Sequence, residues 1–221
     1  MRKLLLAATA LLAFAAVPAK ADTMFLAQTA TVIGSQNVTI LSPKFENVQA
    51  GQIQLTGPTG SVYVWCLDVF DPISLPYDYT VSTFTAGDIK PGIASLTTGQ
   101  VRQIADLMWL GNNVGGIDKA AIQVAIWKAE YGGLFSSTAS GTLLSDENTY
   151  LSQTSIGGIH DRTDLVLTTY TDAVSNPSQA FGTVTVLAAV PEISTWFMMI
   201  LGFAGIGLTG MRKARGSFRW A

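Results

Sequence analysis

A single cysteine stands in this chain of 221 residues, at position 66. No intrachain disulfide can form, so the fold must be held by its own apolar core. The cysteine lies in Val62-Tyr63-Val64-Trp65-Cys66-Leu67-Asp68, where aromatic and β-branched residues follow the turn Gly57-Pro58-Thr59-Gly60. That pattern predicts a strand. A lone cysteine is either a buried small hydrophobe or a thiol that is exposed, paired with another chain or otherwise protected.

The two ends of the chain have a different chemistry from its middle. Arg2 and Lys3, the apolar run Leu4–Val17 and the small-x-small triplet Ala19-Lys20-Ala21 make residues 1–21 a secretory signal peptide. Ile193–Met211 is almost wholly apolar, with Trp196 at one end and Arg212, Lys213 and Arg215 at the other. As a helix it spans roughly 28 Å, close to the ~30 Å of a bilayer's hydrocarbon core. The basic cluster would face the cytoplasm. Between Asp22 and Val190 there are six basic and fourteen acidic residues, so this segment carries a net charge of about −8. An acidic domain repels phosphate backbones, which argues against nucleic-acid binding.

Within the middle, Thr31-Val32-Ile33 and Asn37–Leu41 are β-branched runs split by Gly34-Ser35, and Gln52–Leu55 alternates polar with apolar. Asp71-Pro72 closes the cysteine strand, and Tyr77–Phe84 forms another. The period then changes. Val101, Ile104, Ala105 and Met108 predict a helix ended by Gly111-Asn112-Asn113. Asp118 caps a second helix running to Tyr131 and stopped by Gly132-Gly133. Ile122, Ala125, Ile126 and Ala129 form its apolar stripe, and Gln123, Trp127 and Glu130 lie beside it. Gln123 therefore sits at the edge of a buried face, where a polar side chain needs a partner. Ser136–Ser145 reads as a loop, Asp161–Val174 as a helix with Leu165, Val166 and Tyr170 inward, and Phe181–Leu187 as a closing strand. The expectation is one α+β domain over 22–190, an antiparallel β-sandwich-like sheet with a helical insert. The signal peptide (1–21) and a C-terminal transmembrane helix (within 191–221) flank it.

Two stretches resemble known families. Val190-Pro191-Glu192-Ile193-Ser194-Thr195-Trp196, then Met198-Met199, Leu201-Gly202-Phe203, Gly205, Gly207 and Arg212-Lys213, resemble a PEP-CTERM sorting signal, with Ile193 where the motif usually has proline. The resemblance implies Gram-negative export, processing by an exosortase and delivery to the cell surface or an extracellular polysaccharide matrix. Trp65-Cys66-Leu67-Asp68 followed by Ile122-Gln123-Val124-Ala125-Ile126-Trp127 is similar to the thioester domains of bacterial surface adhesins. That resemblance covers about residues 50–133. It implies that Cys66 and Gln123 meet and condense into an internal thioester, which then captures an amine or hydroxyl covalently.

Such a bond needs the sulfur held against a polarised carboxamide and then kept from water. Trp65, Trp127 and Tyr131 are the bulky residues expected to shield it. Asp68, two residues on along the strand, is expected on the same face as Cys66, either orienting a proton or serving as a strand-end turn residue. The expected function is single-use capture rather than turnover, with an extracellular polysaccharide or a surface protein as partner. A second reading is a structural matrix protein in which Cys66 is a buried thiol. A third is an enzyme built on Cys66 and the single histidine, His160; no third orienting group accompanies that pair. No spacing of ligands predicts a metal, and no glycine-rich motif predicts a phosphate-bearing cofactor.

Overall fold

The computed structural model describes residues 23–84, 95–172 and 178–187 and the single positions 200 and 203. The expected signal peptide lies outside the described residues. So does the sorting signal, Pro191, Glu192, Trp196, Arg212 and Lys213 included. No helix of the described residues is long and apolar enough to cross a membrane. The chain divides into one compact unit ending at Thr185 and another beginning at Val186. In the second, Ile200 and Phe203 are helical and exposed.

The first unit is α+β. Its strands are β1 (Thr23–Ala27), β2 (Thr29–Ser42), β3 (Glu46–Gly57), β4 (Gly60–Cys66), β5 (Tyr77–Thr83), β6 (Ser136–Ser137), β7 (Leu165–Thr171) and β8 (Phe181–Val186). Three helices lie between β5 and β7: α1 (Thr98–Asn113) and α2 (Lys119–Tyr131), which were expected, and α3 (Gly141–Gln153), which was not. The strands join in one eight-stranded sheet of order β1-β5-β7-β8-β4-β3-β2-β6. The Gly34-Ser35 break is not a turn between strands. It is a bulge within β2, where Gly34 takes φ 61° and the register against β3 shifts between Ile33 and Gln36.

The decisive feature of the sheet is β4. Its residues 60–64 pair with β3, from Gly60 opposite Gly57 to Val64 opposite Ile53. Its last two residues, Trp65 and Cys66, pair instead with Gly182 and Phe181 of β8. The sheet thus splits at the end of β4, and Cys66 stands at the fork.

Helices α1 and α2 form where the sequence pattern places them. α1 opens with a capping box, Thr97 with Gln100, and buries Ile104, Ala105 and Met108. α2 opens on Asp118, whose Oδ1 accepts from the N–H groups of Ala120 (2.8 Å) and Ala121 (3.2 Å). Residues 120–127, Ala129 and Glu130 are all buried, because α2 packs against β2, β3, α1 and α3 together. Gln123 is therefore inside the core rather than at its edge.

Two expectations are corrected. Residues 165–171 form strand β7, not a helix: Leu-Val-Leu-Thr-Thr-Tyr-Thr is dominated by β-formers, and sheet pairing with β5 overrides the helical spacing of its apolar residues. Within the expected loop 136–145, helix α3 begins at Gly141. Its buried residues Leu143, Glu147 and Tyr150 follow a helical spacing hidden by the Ser- and Thr-rich sequence around them.

Candidate functional site

Because Leu67 N–H donates to Ala180 O on the β8 side (2.9 Å), the N–H and C=O of Cys66 point the other way, into the gap left by β3. Gln123 of α2 fills that gap. Its Oε1 accepts from Cys66 N–H (2.9 Å) and its Nε2 donates to Cys66 O (2.9 Å). One carboxamide thus replaces the strand neighbour that β4 loses when the sheet splits. Gln123 is 1% exposed, so each of these bonds satisfies a peptide group shut away from bulk water.

The sulfur has different company. Cys66 Sγ–H donates to Asp68 O (2.8 Å), and Gln179 Nε2 donates to Sγ (2.8 Å) and to Asp68 O (3.0 Å). Gln179 sits just before β8. Its backbone N–H donates to Pro72 O (3.2 Å), and its neighbour Ser178 is buried with its hydroxyl 2.8 Å from Tyr79 Oη. Sequence reasoning brought Gln123 to Cys66, and the structure does so as well, but at the peptide group. The carboxamide lying on the sulfur belongs to Gln179, which sequence reasoning missed. Its one local signal is its place directly before the closing strand, and only the pairing of β8 with β4 gives that place meaning.

A cleft of about 280 Å³ opens onto this cluster. Val48, Gly51 and Ile53 of β3 form one wall and Asp71, Pro72 and Ile73 another. Cys66, Asp68, Gln123, Trp127 and Gln179 line its interior. Gln179 is only partly buried, so its side chain is reachable from the cleft, whereas Cys66 is 2% exposed.

Of the residues expected to shield the sulfur, Trp127 does line the cleft, buried and tilted against Phe135. Tyr131 stands nearby, edge-on to Phe70, its hydroxyl 3.5 Å from Leu67 O. Trp65 does not line it. As the strand neighbour of Cys66 it points to the opposite face, where its indole N–H donates to Asn112 Oδ1 (3.1 Å) and its ring lies against Gly111. Asp68 is fully buried beyond the strand end. Its carbonyl touches both the thiol and Gln179, and its Oδ1 accepts from Phe70 N–H (2.7 Å), so it also shapes the turn. His160 is not among the cleft residues; its ring lies beside Trp109, 6.2 Å between centroids.

Burial pushes the Cys66 thiol well above its ordinary range. The Trp127 indole and the Asp68 carbonyl pull it down, and the Asp68 and Glu130 carboxylates push it further up. Burial likewise raises the Asp68 carboxyl to about 7, with Asp71 beside it adding to the rise and the Phe70 N–H opposing it. The site at neutral pH is a protonated thiol held against a carboxamide in a largely desolvated acidic pocket.

No protein-family model and no curated protein matches the chain. Among solved structures it is similar to an N-terminal thioester domain of a surface protein from Clostridium perfringens, at 15% identity and a TM-score of 0.47, covering 66% of this chain and 96% of that one. A cysteine-to-alanine mutant of that domain matches at 15% identity and a TM-score of 0.46, covering 68% and 98%. The chemistry assigned to the site rests on its own geometry.

Proposed function

We propose that this is an exported protein of the cell surface or extracellular matrix that carries an internal thioester between Cys66 and Gln179 for covalent capture of a partner. The observation that carries the proposal is Gln179 Nε2 on Cys66 Sγ at 2.8 Å. One amide C–N bond beyond that nitrogen lies the carbonyl carbon, at most about 4.1 Å from the sulfur. That is a short rotation from attack distance. The S–C bond forms, the C–N bond breaks, and ammonia leaves carrying the thiol proton. An amine entering the cleft then attacks the acyl carbon. Its new C–N bond replaces the C–S bond, one amine proton passes to sulfur, and the partner stays bonded to residue 179. A hydroxyl would react the same way to give an ester. Gln123, held by both hydrogen bonds to the peptide group of Cys66, acts as scaffold. Each molecule reacts once, so the protein is not an enzyme in this reading.

Delivery follows from the ends of the sequence. The leader directs export, the tail holds the protein in the membrane until an exosortase removes it, and the partner is an extracellular polysaccharide or surface protein. The rival reading, a matrix protein with an inert thiol, is favoured by one observation: Cys66 is 2% exposed, and that burial pushes its thiol up and weakens it as a nucleophile. Intact mass decides between them. The thioester form is lighter than the sequence mass by one ammonia, about 17 Da, and methylamine restores a free thiol while methylating the amide of residue 179. Gln179→Ala abolishes both effects. A sequence mass without the loss, with one full equivalent of thiol on unfolding, refutes the thioester.

A further inference from the structure

The Trp127 side chain is 2% exposed, and its indole N–H is a buried donor without a hydrogen-bond acceptor. Among the described residues no other buried side-chain N–H is left in that state. Leaving a donor unpaired away from water costs about 1–3 kcal/mol, so a residue kept there calls for a reason. The reason lies in the cleft that Trp127 shares with Cys66 and Gln179.

The charge balance at the sulfur changes during the proposed reaction. Before it, Gln179 Nε2 donates to the thiol. Once ammonia has left, that donor is gone. When an amine then opens the bond, sulfur departs with the bonding electron pair. Around it are the Asp68 carbonyl, which is an acceptor, and the carboxyl groups of Asp68 and Glu130, which oppose a negative charge. The phenol of Tyr131 is turned to Leu67 O. Among the side-chain N–H groups of the cleft, the indole is the buried one without an acceptor, and unlike the Asp68 carboxyl it cannot itself become an anion.

We propose that the Trp127 indole N–H is a catalytic hydrogen-bond donor to the Cys66 sulfur, stabilising the thiolate as it attacks in bond formation and as it leaves in capture. This rests on the thioester reading above. The idle donor of the resting thiol is then preorganised for a charge that exists only in the reaction, which is where a fixed dipole lowers a barrier most. The indole lies near enough to the sulfur to hold the thiol pKa down, yet makes no hydrogen bond of ordinary geometry to it in the resting state.

The test uses the exported protein in wild-type form, as Trp127→Phe, and with Trp127 replaced by benzothienylalanine. The last keeps the bicyclic shape and puts a sulfur where the N–H was, so it removes the donor while preserving packing if the phenylalanine variant fails to fold. Methylamine cleavage is followed by mass and thiol release. The pH profile of iodoacetamide alkylation of the released thiol is then recorded. Loss of the N–H is expected to slow cleavage at least about tenfold and to move the alkylation profile to higher pH. A benzothienylalanine protein with wild-type cleavage rate and alkylation profile overturns the inference while leaving the thioester standing. A role in packing alone gives that result for benzothienylalanine and a loss of thermal stability for Phe. A wild-type protein of unshifted mass overturns both the thioester and the donor role.

Discussion

The substitution Gln123→Ala separates scaffold from reactive group. It removes two 2.9 Å hydrogen bonds and leaves the N–H and C=O of Cys66 without partners inside the protein. Each orphaned peptide group costs about 1–3 kcal/mol, so the pair is worth about 4 kcal/mol before relaxation. Water entering from the adjacent cleft would reduce this to about 2 kcal/mol. For a domain of this size the melting temperature should fall by about 4–16 °C. The measurement belongs in a Cys66→Ala background, where no thioester can form and the peptide group of residue 66 is unchanged. Urea unfolding of Cys66→Ala with and without Gln123→Ala gives the difference directly. A loss below about 1 kcal/mol would refute the claim that this carboxamide replaces a strand neighbour. Gln179→Ala in the same background should cost less than about 1 kcal/mol, because that side chain is partly exposed.

Three further outcomes follow from the packing and charge of the domain. Asp68 and Asp106 are buried carboxyl groups raised to about 7, chiefly by desolvation, so the folded state holds protons that the unfolded state releases near pH 4. Stability should therefore fall as pH rises from about 4 to 7, and Asp106→Asn should flatten part of that slope; a melting temperature that climbs over this interval would contradict the assignment. Gly111→Ala would place a Cβ 2.5 Å from the buried Trp65 ring, and should cost about 1–3 kcal/mol in chemical denaturation, with little loss if the ring can shift aside. Peptide mapping of the extracellular protein should begin near Asp22 and lack the peptide Gly202–Arg212; its recovery from the matrix fraction would contradict processing of the tail.

Local and periodic features were legible from the sequence because they depend on neighbours in the chain. The Asp118 cap, the glycine stop after Tyr131, the strand around Cys66 and the inward face of α1 each follow from residues within one or two turns of each other. A glutamine on an apolar helix face had to find a polar partner, and Gln123 found one in Cys66. Strand alternation places Trp65 on the face opposite Cys66, a consequence that shielding arguments from residue type overlook, whereas Asp68 lies beyond the strand end and meets the thiol through its backbone carbonyl. Where α3 and β7 were misjudged, tertiary burial and sheet pairing outweighed weak local signals.

The tertiary structure alone decided which carboxamide meets the sulfur. Cys66 and Gln179 are 113 positions apart, and no short-range pattern links them. They come together because β4 leaves β3 after Val64 and pairs with β8, which carries Gln179 to the fork. The same split exposes the peptide group that Gln123 must satisfy, beside the cleft that Trp127 lines with its indole N–H buried and without an acceptor. Sequence by itself determined a cysteine strand and a capped helix whose glutamine needs a polar partner; that the two meet was implied only by the family resemblance. The division of labour between two glutamines depended on a change of strand partners, which is a property of the assembled sheet and of no segment within it.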